Sequence, residues 1–112
     1  MKKIEMIIRP ERIDHVKDAL ARVGVRGLTV TEAIGCGNQK GRSGTYRGAA
    51  YSLELLPKIR VEVIVDDSEV EKIIDAVCDA AATGEVGDGK IFVSPVDEVI
   101  RVRTRERGAA AI

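Results

Sequence analysis

Lys58-Ile-Arg-Val-Glu-Val-Ile-Val65 decides the fold. Ile59, Val61, Val63 and Val65 recur at every second position, so an extended chain carries all four on one face, and Pro57 directly before the run suits the beginning of a strand. The period then changes. Ser68-x-x-Glu71 has the form of a capping box, and behind it Val70, Ile73, Ile74, Val77, Cys78 and Ala81 keep helical spacing up to Gly84. Residues 90–96 (KIFVSPV) and 99–103 (VIRVR) are extended again, with Pro95 marking a break or an edge between them. The unit reads strand, helix, strand.

The same unit stands earlier in the chain. Residues 3–9 alternate, with Ile4, Met6 and Ile8 on one face, until Pro10 stops the ladder. From Glu11, the residues Ile13, Val16, Leu20 and Val23 recur at three- and four-residue steps, and Gly24 ends that helix. Leu28, Val30, Glu32 and Ile34 then alternate with Thr29, Thr31 and Ala33 as far as Gly35. Two β-α-β units in tandem predict an α+β fold, the ferredoxin-like βαββαβ sandwich, with an antiparallel sheet and both helices on one of its faces. On the other face fall Thr29, Thr31, Lys58, Arg60, Glu62, Arg101 and Arg103, with Ile64 the main large apolar exception. Such a polar face predicts a subunit interface or a ligand cleft.

The 112 residues suit one domain spanning 1–112, and 45% hydrophobic with 32% charged residues excludes disorder as the default state. Lys plus Arg number 18 and Asp plus Glu number 18, so no global field attracts polyanions. Tyr46, Tyr51 and Phe92 are the only aromatic residues, too few for a base-stacking platform, and nucleic acid is not expected as a partner. Cys36 and Cys78 form no CxxC and, with the single His15, compose no zinc set. Reduced thiols, together with apolar stretches of no more than strand length, predict a cytoplasmic protein.

Between the second and third strands, Gly35 to Leu56 holds Gly35, Gly37, Gly41, Gly44 and Gly48 and the cations Lys40, Arg42 and Arg47. A loop of roughly 20 residues in so small a domain is functional more often than passive. Its start, Gly35-Cys-Gly-Asn-Gln-Lys-Gly41, spaces glycines as GxGxxxG and leads into more loop, which excludes a dinucleotide fingerprint. Gln39 offers an amide oxygen to a magnesium shell made mostly of phosphates, and Lys58 stands at the loop's exit as an opposing charge.

Gly84-Glu-Val-Gly-Asp-Gly-Lys90 nears the phosphate-loop pattern but has Ile91 in place of the hydroxyl and runs from helix to strand, the reverse of a Walker motif. Gly87-Asp88-Gly89 can still turn successive backbone N–H groups toward an anion, with Lys90 as a point charge beside them. Arg101-Val-Arg103, read as a strand, projects two guanidiniums from one face, suited to multidentate phosphate contact. His15 reads as a surface residue and Cys36 as a small, half-buried one, and no nucleophile–base pair emerges.

With Tyr46-Arg-Gly-Ala-Ala-Tyr51 in the long loop and Thr83-Gly-Glu-Val-Gly-Asp-Gly-Lys-Ile-Phe-Val93 after the second helix, the chain resembles the PII nitrogen-regulatory signalling family over residues 1–112. The opening MKKIEMIIRP, TVTE at 29–32, GNQKG at 37–41, LPK at 56–58 and RVRT at 101–104 also stand where that family has them. The resemblance implies a sensor rather than an enzyme: a homotrimer whose clefts between subunits bind ATP or ADP competitively, with 2-oxoglutarate joining Mg2+ and ATP. It assigns phosphates to Gly87, Asp88, Gly89, Lys90, Arg101 and Arg103, the base to Thr29 and Ile64, and further nucleotide contacts to Gly37, Asn38 and Gln39. Gln39 would also ligate Mg2+, and Gly37, Gln39, Lys40, Gly41 and Lys58 would meet 2-oxoglutarate.

The long loop, about 36–56, is by this resemblance a T-loop that inserts into targets such as an ammonium transporter, the protein's one implied link to a membrane. Arg47 would lie at its tip, and Tyr51 matches a position that some lineages nucleotidylate. Four residues depart from the family's habit: Asn38 stands for an arginine, Glu85 for a basic residue, Cys36 for a bulky apolar one and Ala49 for a serine that some relatives phosphorylate. Losing the guanidinium at position 38 removes a charge-assisted contact of roughly 1.5–3 kcal/mol, which implies weaker nucleotide binding than the family norm. The alternative from the residues alone is a small phosphate-ester or acyl-phosphate enzyme with Arg101 and Arg103 as transition-state clamps, and it lacks a general base.

Overall fold

Four of the strands form a single antiparallel sheet whose order is residues 29–35, 56–65, 2–8 and 89–95. In the computed structural model, which describes residues 1–37, 44–46, 49–51 and 55–112, these are β1 (Lys2–Ile8), β2 (Thr29–Gly35), β5 (Leu56–Val65) and β6 (Gly89–Pro95). The helices α1 (Ile13–Arg22) and α2 (Val70–Ala81) provide the two crossovers. This is the ferredoxin-like α+β sandwich that the alternation and the helical spacing predict.

Strand register explains why the alternating residues become a core. Ile4 lies opposite Val63, Met6 opposite Val61, and Met6 also opposite Ile91, so the even positions of β1 share a face with the odd positions of β5 and β6. Val16 and Leu20 of α1 and Ile73 and Val77 of α2 close over that face, and all of these residues except Ile91 are at most 2% exposed. Each such side chain contributes about 1.5–3 kcal/mol by leaving water. Arg12 joins the layers differently: its guanidinium donates twice to the Ala80 carbonyl near the end of α2, at 3.0 and 2.7 Å. A cation there also opposes the negative end of the helix dipole.

The opposite face is polar, as expected. Across it Thr29 faces Glu62, Thr31 faces Arg60 and Ala33 faces Lys58, while Lys3, Glu5 and Ile7 of β1 face Ile64, Glu62 and Arg60. Phe92, opposite Glu5, adds a half-exposed apolar residue that the sequence pattern did not place there.

Three expectations are corrected. Ser68 and Glu71 do not form a capping box, because a short 3-10 turn at Asp67–Glu69 precedes α2, whose N-cap is Glu69 without a side-chain cap bond. Backbone bonds do the capping instead: the Val70 N–H donates to the Asp67 carbonyl, and the Glu69 N–H reaches the Asp66 carbonyl at 3.0 Å. Residues 99–103 are not a strand. Past β6 the chain folds back on itself through a lone bridge between Ile100 and Arg107, and Val102 sits 94% exposed in the turn between them. Alternation alone makes no strand without a neighbouring ladder to receive its N–H and C=O groups. Arg101 and Arg103 therefore leave the polar sheet face. Third, the long insertion contains two short strands, β3 (Gly44–Tyr46) and β4 (Ala49–Tyr51), paired antiparallel where a loop without a ladder was expected.

Candidate functional site: the glycine turn at one end of the sheet

Between α2 and β6 the chain must reverse within a few residues, and three glycines take positive φ to do so: Gly84 at 86°, Gly87 at 100° and Gly89 at 113°. At Gly89 no other residue fits, since a Cβ there would lie 1.7 Å from the Ile7 carbonyl oxygen. The turn is then held by Asp88. Its carboxylate accepts the Thr83 hydroxyl, the Thr83 N–H at 2.7 Å, the Gly84 N–H at 3.0 Å and the Arg9 Nε–H at 3.0 Å. Thr83 before all, and Arg9 and the Gly84 N–H after it, hold this carboxyl well below the usual carboxylate range. The Arg9 Nη2–H donates to the Val86 carbonyl at 2.8 Å, and Lys58 Nζ–H to the Gly87 carbonyl at 3.1 Å.

Sheet register sorts the candidate residues into two groups. Gly37 lies just beyond β2, whose last residue Gly35 pairs with Leu56, and Lys58 follows on the same strand. Gly87, Asp88, Gly89 and Lys90 come at the start of β6, where Gly89 faces Ile8 and Lys90 faces Ile7. These residues share one end of the sheet. Thr29 and Ile64 lie toward the other, facing Glu62 and Lys3, and line a cleft of about 700 Å³ with Leu28, Val99 and Ile112. Arg101 and Arg103 follow β6 past Pro95, which pairs with Lys2. Ile8 and Lys2 mark the two ends of β1, roughly 20 Å apart at about 3.3 Å per residue.

One chain therefore does not bring Arg101 and Arg103 to the glycine turn. Arg101 instead donates to Glu106 Oε1 at 3.0 Å and to the Ala110 carbonyl at 3.1 Å, while Arg103 is exposed in the turn. Asn38, Gln39, Lys40, Gly41 and Arg47 lie outside the described residues. Tyr51 falls in β4, of which the backbone ladder alone is described. Cys36 is exposed rather than half-buried, and His15 is exposed on α1. Among the described residues no group of three His, Cys, Asp or Glu side chains could hold a metal ion, and no helix is long and apolar enough to cross a membrane.

Arg9 and Thr83 were not legible as site residues. One signal pointed toward them: an aspartate between two glycines in an anion-binding turn repels its ligand unless nearby donors neutralise it.

The fold and this turn define a class: a small ferredoxin-like α+β domain with a long insertion between adjacent sheet strands and a glycine-rich turn at the same sheet end. The chain belongs to the P-II family, whose model, described as "Nitrogen regulatory protein P-II", matches residues 1–106. Over 112 residues, the whole of both chains in each case, it is 57% identical to the nitrogen regulatory protein P-II of Azospirillum brasilense and 57% identical to that of Rhizobium meliloti. The P-II protein of Nostoc punctiforme is 52% identical over the same full length. Membership places the chain among nitrogen-regulatory signalling proteins and sets aside the phosphate-ester or acyl-phosphate enzyme.

Proposed function

We propose that the chain works in the cytoplasm as a homotrimer that senses ATP or ADP, with Mg2+ and 2-oxoglutarate, and reports the ligand state to partners such as an ammonium transporter through residues 36–56. The observation that carries this reading is the separation of the cations: Lys58 and Lys90 stand at one end of the sheet, Arg101 and Arg103 beyond the other. A second copy can set one chain's arginines against its neighbour's glycine turn, and in a closed ring each copy completes one site and lends residues to the next. The number three comes from the family resemblance, and the separation of the cations supports the part given to a neighbour.

In that arrangement Gly87, Gly89 and Lys90 receive phosphates together with Arg101 and Arg103 of a neighbour, and Thr29 and Ile64 flank the base. Gln39 completes the Mg2+ shell, and Gly37, Lys40 and Gly41 with Lys58 receive 2-oxoglutarate. Ligand energy then selects among conformations of residues 36–56, an effect limited by the difference in affinity between those conformations. Arg47 and Tyr51 belong to the part that partners meet.

Light scattering combined with calorimetry tests this. The expected result is a particle of three chains that binds Mg-ATP without turning it over, more tightly when 2-oxoglutarate is present. A stable monomer that binds Mg-ATP with unchanged affinity after Arg103→Ala would overturn it.

A further inference from the structure

We propose that Arg9 is a positioning residue for the glycine turn, setting residues 84–90 for an anion by gripping the Asp88 carboxylate and the Val86 carbonyl. The proposal rests on the reading that this turn receives phosphate, and it changes the part assigned to Asp88: the carboxylate serves the turn's framework, and the ligand meets only the backbone at that position.

The stoichiometry of contacts supports the assignment. A carboxylate offers about four lone-pair positions, and Asp88 meets four donors: the Thr83 hydroxyl, the Thr83 and Gly84 N–H groups and Arg9 Nε–H. Its charge is offset locally by Arg9. The Arg9 side chain is only 14% exposed, and its fork is divided among Asp88, the Val86 carbonyl and Glu11, the last at 3.9 Å. A guanidinium so enclosed is committed to protein acceptors. Because Arg9 directly follows β1, the central strand that pairs with both β5 and β6, the grip ties the turn to the middle of the sheet.

Charge and framework predict opposite signs. Removing the aspartate's negative charge next to a phosphate strengthens anion binding if charge alone counts, whereas loss of the framework weakens it. Calorimetry with Mg-ATP on the intact protein is expected to show Asp88→Asn and Arg9→Gln each about tenfold weaker, with the double variant no weaker than the worse single one. Arg9→Lys keeps the charge without the fork and should remain weak. Amide exchange of residues 83–90 should quicken in these variants while β1 and β5 stay protected.

Tighter binding by Asp88→Asn, losses that multiply in the double variant, or full recovery by Arg9→Lys would each overturn the proposal. If Arg9→Gln fails to fold, Thr83→Val, an exposed change that removes one donor, takes its place with the same expected weakening. Lys90→Ala, run in parallel, separates the two levels. If it binds normally, or if the unmodified protein binds no Mg-ATP, the phosphate reading falls and takes the proposal with it. If it weakens while the Arg9 and Asp88 variants bind as before, the positioning role alone is lost.

Discussion

Two turns cap opposite ends of β6, and they are built on different principles. The turn before it, residues 82–88, is fastened to other elements: Asp88 and the Val86 carbonyl to Arg9 of the β1 end, the Gly87 carbonyl to Lys58 of β5. The turn after it, residues 96–107, is fastened mainly to itself. The Arg101 N–H donates to the Glu106 carbonyl at 2.9 Å and the Gly108 N–H to the Val99 carbonyl at 2.9 Å, with ion pairs Arg101–Glu106 and Arg107–Glu98 on the outside. The difference teaches that cations in a turn indicate nothing by number alone. The first turn has no cation of its own and is set by Arg9 and Lys58 from neighbouring elements; the second carries its own arginines, which remain partly exposed at its surface.

The largest expected effect that tests this contrast is steric. Gly89→Ala forces a Cβ onto the Ile7 carbonyl at a φ of 113° and should destabilise the fold by roughly 3 kcal/mol or more, read as a lowered urea midpoint. Gly108→Ala, at a φ of 76° but in open space, should cost only about 1–2 kcal/mol. Equal losses would mean that backbone conformation alone, and not the close approach of Gly89 to β1, sets the cost.

A smaller effect depends on pH. Asp88 has its carboxyl held below the usual range in the folded state, so its contribution is fully present above the ordinary carboxylate pKa of about 4 and fades as pH falls through the lower folded value. Arg9, Lys58 and Glu11 are the charged groups near it. Comparing wild type with Asp88→Asn by thermal melts from pH 7 downward should show a gap that closes in acid. A gap that stays constant would assign the loss to packing.

The smallest effect lies in the second turn. Glu98→Gln removes one side of an exposed ion pair with Arg107, whose side chain is 63% exposed, and should change stability by no more than about 1 kcal/mol. A larger change, insensitive to added salt, would mean that this turn too is fastened from outside.

Much of the architecture was readable from period alone. β1, β5 and both helices show the alternation or the three-and-four spacing of their buried faces, and Ile4, Met6, Val61, Val63, Ile73 and Val77 prove to be core. Ile100 and Val102 carried the same alternation at 99–103 without any ladder for it to join, which no reading of side chains can reveal. At the site, the glycines of 84–89 were legible because a reversal needs positive φ. Arg9 was not, since its partners lie 77 and 79 residues away and only the pairing of β1 with β6 brings them near. The division of the cations between two sheet ends was hidden for the same reason: it is a fact of register, and register is set between strands.

The place of β1 has a consequence for the order in which the chain is made. β1 is the first of the sheet's four strands to be synthesised, yet its two neighbours in the sheet, β5 and β6, belong to the second β-α-β unit, and β2 never pairs with it. While the first half leaves the ribosome, Ile4, Met6 and Ile8 have no strand to pair with until residues 59–65 arrive, and the other edge stays open until residues 89–95 follow. Closure is therefore late and joins both halves at once, a topology rich in distant contacts that folds more slowly than a local one. The insertion between β2 and β5 hardly adds to that delay, because each doubling of a loop's length costs only about 0.6 kcal/mol. Its length can therefore vary while the sheet keeps the same timetable.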